Sequence, residues 1–293
     1  MPELPEVEAL ARFLSDRLAG QRVADLALAS LSALKTYSPP ITALLGLPVT
    51  GVLRHGKFLD LATEGGPHLV WHLSRAGWVQ WSDEPAPGPV KPGKGPLALR
   101  LGFVNDDGEP TGRIDLTEAG TQKRLAVYVV GSPRDVPGVA RLGPDALGDE
   151  LTLPAFAGIL AAAGRAQVKG VLRDQSIIAG IGNAYSDEIL HAARLSPFHP
   201  CSTLSADEVA HLYDCMRQTL LTAVENSVGH GTGTLKAEKK ASMAVHGRAG
   251  EPCPVCGSTV LEVSFADSAL QYCPTCQTGG KPLADRRMSR LLK

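Results

Sequence analysis

The sequence predicts a multi-domain α+β protein, and three observations carry that expectation. Short apolar or alternating runs broken by Gly and Pro clusters fill the first part of the chain, a stretch rich in Ala, Leu and Glu with helical spacing follows, and four of the six cysteines gather near the carboxyl end in two CxxC pairs. With 293 residues, 44% of them hydrophobic and 20% charged, the chain can bury two cores and carry a small appended module, so disorder is excluded as its dominant state.

Taken in order, the apolar positions Val7, Leu10, Leu14 and Leu18 after Pro5 fall on one helical face. Proline suits a first turn, where no N–H partner is missing, so an amphipathic helix is expected almost from the terminus. The runs 57–62, 68–72, 97–104 and 125–130 read as strands of a β-sandwich or barrel. The stretch 83–96, DEPAPGPVKPGKGP, reads as a loop, and 131–154 as an interdomain linker. Helical spacing resumes after Pro154, with helices expected over 171–178, 184–193 and 206–225, the last capped by Ser205. The tail after Lys236 is too small to hold a core without a staple.

The formal net charge of −1 argues against a histone-like partner, but charge is segregated. From Gly229 to Lys293 nine Lys or Arg face five acids, a surplus that suits either a solvated surface or a local nucleic-acid site. The first residues, MPELPEVEALARFL, contain acids and no uninterrupted apolar stretch. They read as neither secretory signal nor membrane span, and a soluble cytoplasmic monomer is expected.

Cys253 and Cys256 in CPVC, and Cys273 and Cys276 in CPTC, are separated by sixteen residues. That is the spacing of two knuckles presenting four thiolates to one structural zinc ion. Disulfides fit poorly with an intracellular chain, and a redox CxxC needs no second copy. A closed four-cysteine site has no open position for substrate, so the metal is expected to shape a hairpin and do no chemistry.

Loss of Met1 would expose the secondary amine of Pro2, followed by the carboxylate of Glu3 and, a helical turn on, that of Glu6. An α-amine has a reference pKa near 8, roughly two and a half units below lysine, so on the order of a tenth is unprotonated near neutrality. Such an amine can attack a carbonyl-like carbon and form a Schiff base. The same residues also make a favourable helix start with no chemistry.

Four separated segments then carry a family likeness: PELPEVE at 2–8, RHGKFL at 54–59, GIGNAY at 180–185 and HGRAGEPCPVC at 246–256. The ordered set resembles the bacterial formamidopyrimidine-DNA glycosylase/endonuclease VIII family over essentially the whole chain. The resemblance implies an N-terminal catalytic β-sandwich domain with flanking helices over 1–135, a helix–two-turns–helix DNA-binding domain over 150–235, a zinc-finger β-hairpin over 236–280 and a basic tail over 281–293. It implies a base-excision repair glycosylase with abasic-site lyase activity, acting on damaged, oxidised bases in double-stranded DNA and nucleoid-associated when bound. In that scheme Pro2 attacks C1′, Glu3 manages protons at the sugar, Glu6 supports the site, and Lys57 contacts phosphate and assists elimination. Gly182 and Asn183 would bind the DNA backbone through the turn before a helix, although Asn183 would serve equally as a helix cap. Arg165, Lys169 and Arg248 are the expected phosphate contacts.

The chain also departs from its relatives. HLSRAG at 72–77 places Arg75 where a Met wedge is expected, and TQKRLA at 121–126 places Lys123 or Arg124 at the second wedge. A flat cation can stack on bases but is no apolar plug. Ser268 stands where many relatives carry an Arg held to act at the lesion phosphate. His246 stands where they usually have Tyr, and nine residues between Lys236 and His246 leave little room for a loop over oxidised purines. A damage- or structure-specific DNA-binding protein with lyase-only or no excision activity is the competing reading. Ser/His/Asp hydrolysis has no GxSxG-like support.

Overall fold

A computed structural model of the chain describes residues 1–284 except 86, 87, 89, 94, 121, 266 and 267. Most of the basic tail, 285–293, lies outside the described residues. Two compact units result, one of residues 1–141 with 227–236 and one of 142–226 with 237–293.

In the first unit, helix α1 (Leu4–Leu18) starts on two carboxylates: Glu3 is its N-cap residue, and the Glu3 backbone N–H donates to Glu6 Oε2 at 2.8 Å. Its apolar stripe is buried, with Leu10, Leu14 and Leu18 fully so. Strands β1 (Arg22–Leu28), β2 (Val49–His55), β3 (Phe58–Thr63), β4 (His68–His72), β5 (Gly77–Ser82), β6 (Leu97–Val104), β7 (Pro110–Glu118) and β8 (Ala126–Val130) form two antiparallel sheets. Their orders are β1-β6-β7-β5 and β2-β3-β4-β8. The inner faces contribute Leu59, Leu61, Leu69, Trp71 and Val127 from one sheet and Val79, Leu99, Leu101, Ile114 and Leu116 from the other to one core shared with α1, the sandwich that alternation predicts. The start of the expected linker belongs to this unit: Val136 and Val139, the latter in helix α2 (Pro137–Ala140), pack with Val70 and Phe58 on the sheet's outer face.

The second unit holds helices α3 (Leu153–Ala163), α4 (Val168–Arg173), α5 (Asn183–Ala192) and α6 (Ala206–Ser227), with helix α7 (Leu235–Ser242) crossing from the first unit. Hairpin β9 (Leu261–Ser264) and β10 (Ala269–Tyr272) and helix α8 (Pro274–Thr278) complete it. Ser205 and Glu208 form reciprocal hydrogen bonds before α6, as the expected cap requires. One boundary differs from the sequence reading. Helix α4 starts three residues early and stops before Asp174, whose side chain takes the Ser176 N–H and breaks the helix. Between Lys236 and His246, where the sequence leaves little room for a covering loop, the chain is helical as far as Ser242 in α7. The segment Ser227–Lys236 belongs to the first unit, where the Trp78 indole donates to the Thr232 carbonyl at 2.6 Å and Leu235 joins the sandwich core.

The β4–β5 turn is closed by Gly77 N–H donating to the Leu73 carbonyl at 2.9 Å, and a Cβ at Gly77 would lie 2.1 Å from that oxygen. Gly77→Ala is therefore expected to destabilise the first unit by about 2 kcal/mol or more. All three tryptophans (Trp71, Trp78 and Trp81) are in this unit, so their fluorescence during urea unfolding reads the loss directly.

Candidate active site and metal centre

Strand register gathers the predicted residues of the first unit at one end of a sheet. Phe58 pairs with His72 and His72 with Ala126, so these three form one rung across β3, β4 and β8. Lys57 immediately precedes that rung, Arg75 lies in the turn after it, and Lys123 and Arg124 lie in the loop entering it. Helix α1 brings its N-terminus to the same end. Ser15 Oγ accepts the Val52 N–H at 3.2 Å while Glu8, nearer the helix start, meets Arg54, so α1 runs against β2 toward Val49. Pro2, Glu3, Glu6 and Lys57 are all buried at this end.

Arg54 links the two pieces. Its Nε donates to Glu8 Oε2 at 2.8 Å and its Nη1 to the Gly56 carbonyl at 3.2 Å, beside Lys57. Burial would raise the Glu8 carboxyl, but hydrogen bonds and charge from Arg54 and Arg12 outweigh it and hold Glu8 below its ordinary value. On the turn's other side, the fully buried Asp60 accepts from His55 Nε2 at 3.1 Å and His68 Nδ1 at 2.9 Å. Sequence reasoning missed Arg54 and Asp60, because neither makes a chemical motif; the RHGKFL segment held the one and bordered the other.

His72 was likewise passed over within HLSRAG. Burial, reinforced by the Lys57 charge, lowers its pKa to about 4, leaving a neutral imidazole whose Nδ1 accepts the Ser74 N–H. The wedge candidates differ in their contacts. Lys123 donates to the Glu118 carbonyl, while the buried Glu118 carboxylate accepts the backbone N–H groups of Arg124 and Leu125. Arg75, Lys123 and Arg124 are all exposed.

In the second unit, the turn before α5 is latched by Gln175, which donates to the Ile181 carbonyl at 2.7 Å and accepts the Gly180 N–H at 3.0 Å. Gly180 has φ +104°, a region that favours glycine. Gly182 is the N-cap residue of α5, and Asn183 is its first helical residue. The Asn183 amide donates to the Ala269 carbonyl at 2.6 Å, so it is not the cap. Lys169 also departs from expectation as an open phosphate contact. Its buried ammonium donates to Asp187 Oδ1 and Ser186 Oγ, both at 2.6 Å, and to the Asn183 carbonyl at 3.2 Å. In this arrangement it braces the turn from within. Arg165 is exposed after α3, and Arg248 pairs with Glu251 at 2.7 Å.

The sulfurs of Cys253, Cys256, Cys273 and Cys276 lie within 4.8 Å of one another. Each knuckle is closed by backbone: Gly257 N–H donates to the Cys253 carbonyl and Gln277 N–H to the Cys273 carbonyl. Hydrogen bonds with Ser258 pull the Cys256 thiol down to about 6, whereas burial and crowding by neighbouring sulfurs push Cys276 up. Four crowded thiolates repel one another, and a dication relieves that repulsion, so the donor set fits one zinc ion.

A sandwich joined to a helical unit with a four-cysteine hairpin defines a DNA glycosylase class. Family models agree: the formamidopyrimidine-DNA glycosylase N-terminal domain matches residues 1–117, the formamidopyrimidine-DNA glycosylase H2TH domain matches 142–235, and the zinc finger found in FPG and IleRS matches 250–279. The chain is 35% identical over 300 residues to the formamidopyrimidine-DNA glycosylase of Symbiobacterium thermophilum, covering 98% of this chain and 93% of that protein. A formamidopyrimidine-DNA glycosylase-like protein of Mycobacterium tuberculosis is 57% identical over 152 residues, 52% of this chain and 94% of that one. The crystal structure of the MutM (Fpg) protein from Thermus thermophilus superposes with a TM-score of 0.77 at 32% identity, covering 96% of this chain and 100% of that chain. This chain belongs to the formamidopyrimidine-DNA glycosylase family. Among the described residues no helix is long and apolar enough to cross a membrane.

His72 gives the site a measurable pH signature. Between the ordinary value of about 6.5 and its lowered value of about 4, the unfolded chain takes up a proton that the folded state refuses, so stability falls as pH falls through that window. The loss approaches about 3 kcal/mol at its acid end. Urea unfolding followed by tryptophan fluorescence at pH 7 and pH 4.5 should show a smaller difference between the two pH values in His72→Gln than in the unmodified chain.

Proposed function

We propose that the chain is a base-excision DNA glycosylase with abasic-site lyase activity that works through the amine of Pro2. The observation that carries this reading is the burial of Pro2, Glu3, Glu6 and Lys57 at one end of the sandwich, where α1 begins. While Met1 is attached, the Pro2 nitrogen is an amide without a usable lone pair. Its removal yields a secondary amine, and the positive end of α1 disfavours protonation of that amine.

In this reading the amine attacks C1′ of the damaged nucleotide, and the bond from C1′ to the base breaks with its electrons leaving on the base. The amine then gives up its proton, the C1′–O4′ bond opens, and an iminium forms between Pro2 and C1′, with Glu3 placed to handle the proton taken by O4′. Loss of a C2′ proton expels the 3′ phosphate, which Lys57 holds and neutralises. Glu6 keeps Glu3 in place through the Glu3 backbone N–H. The base must be extruded before C1′ can be reached. Exposed Arg75 and Arg124, on adjacent loops, suit stacking against the bases left behind.

Damaged double-stranded DNA is the partner this reading requires. Gly182 and Asn183 open α5, whose N-terminal dipole favours a phosphate, and exposed Arg165 together with Arg248 supplies cations in the same unit. The zinc hairpin is structural. Oxidised bases are the substrate class that family membership favours; helix α7 and Ser268, in place of a covering loop and an Arg, favour a range beyond oxidised purines.

Incubation of processed protein with an abasic-site duplex and sodium borohydride should yield a covalent adduct that disappears in protein retaining Met1, where the Pro2 nitrogen is an amide. No adduct with correctly processed protein would overturn the proposal.

A further inference from the structure

Helix α5 does more than present its N-terminal turn. His191, in its last turn, is 6% exposed and its Nε2 lies 3.3 Å from Sγ of Cys253, itself 2% exposed. We propose that His191 is a positioning residue of the metal centre, donating its Nε2–H to the zinc-bound thiolate of Cys253 and thereby fixing the zinc site to α5.

The direction of the hydrogen bond follows from the metal chemistry. A thiolate bound to zinc has no proton and can only accept, so Nε2 must carry the hydrogen and the tautomer is set. Four thiolates and one zinc ion sum to two negative charges, and two of the four cysteines, Cys253 and Cys273, are buried. Buried negative charge needs donors aimed at it. His191 supplies one from a neighbouring element rather than from the knuckles themselves.

Other contacts tie the same helix to the same module. Gln277 donates to the Leu195 carbonyl just past α5 at 2.9 Å and accepts the Cys273 N–H at 2.8 Å, so the second buried cysteine is also referred to this helix. Glu188 accepts the backbone N–H groups of Ala244, Val245 and His246, and Asp187 accepts His246 Nδ1 at 2.7 Å and the Gln271 N–H at 3.2 Å. Helix α5 therefore begins at the proposed phosphate turn, grips residues 244–246 before the knuckles at its middle and reaches the zinc ligands at its end. Loss of zinc would be felt along α5, and loss of the His191 bond would be felt at the metal.

The test uses the full chain and metal readouts that do not depend on activity. In His191→Phe, which keeps the bulk and removes the donor, competition with a chromophoric chelator should show zinc bound at least about tenfold more weakly. In cobalt(II)-loaded protein the sulfur-to-cobalt charge-transfer band should move to longer wavelength, because the thiolate lone pairs lose a stabilising donor. His191→Gln, which retains an N–H, should recover part of both effects. A folded His191→Phe with unchanged zinc affinity and an unchanged band overturns the proposal. Should that variant fail to fold, the unmodified chain loaded with NMR-active cadmium decides: a scalar coupling between the His191 ring N–H proton and the metal is expected, and its absence overturns the proposal.

Discussion

The guanidinium of Arg54 stands between the helix that begins at the proposed nucleophile and the turn that carries Lys57. It bonds Glu8 on α1 and the Gly56 carbonyl beside Lys57, at 2.8 and 3.2 Å. With its side chain 11% exposed, it is screened far less than a surface ion pair and fixes geometry as well as charge. In the proposed reaction the Pro2 amine and the Lys57 ammonium must hold a fixed separation, because small misplacements are costly in catalysis. The strut provides that separation, and Asp60, clasped by His55 and His68, steadies the turn from the other side. The sandwich core beneath supplies a stiff base, since α1 and both sheets share one hydrophobic cluster.

The second unit is built on a similar economy, with α5 as its rod. Asp187 and Glu188 follow the glycine-bearing turn within the helix, and their carboxylates are spent on Lys169, His246 and backbone N–H groups rather than left to solvent. A buried ion pair of this sort does less for stability than for register, because desolvation offsets much of its attraction. Here the Lys169–Asp187 pair sets α4 against α5, and the other Asp187 oxygen takes His246 and the Gln271 N–H of the hairpin.

Local patterns with a fixed period were legible in the sequence. The stripe Val7, Leu10, Leu14 and Leu18 is buried in α1, the runs 68–72 and 97–104 are β4 and β6 to the residue, and the paired CxxC spacing brings four sulfurs together. Interactions that depend on tertiary placement were not. Lys169 reads as a basic residue near a DNA motif, but Asp187, eighteen positions later, draws its ammonium inside. Lys123 and Arg124 are equivalent in the sequence, and the Glu118 carbonyl distinguishes them in the fold by holding the Lys123 ammonium. Asp174 ends α4 through a side-chain bond to Ser176 that competes with the helix, a local signal that apolar periodicity hid. His72 became notable once register placed it beside the Lys57 turn and burial held it neutral.

The central claim is that the Glu8–Arg54 pair holds Pro2 and Lys57 in a common frame. A double-mutant cycle reads it most directly, with Glu8→Gln, Arg54→Met and the combination compared by the rate of borohydride-trappable adduct formation on an abasic duplex at saturating DNA. The account predicts that each single change slows the step and that the double change is little worse than Arg54→Met alone. Fully additive effects, or single changes that leave the rate untouched, would contradict it.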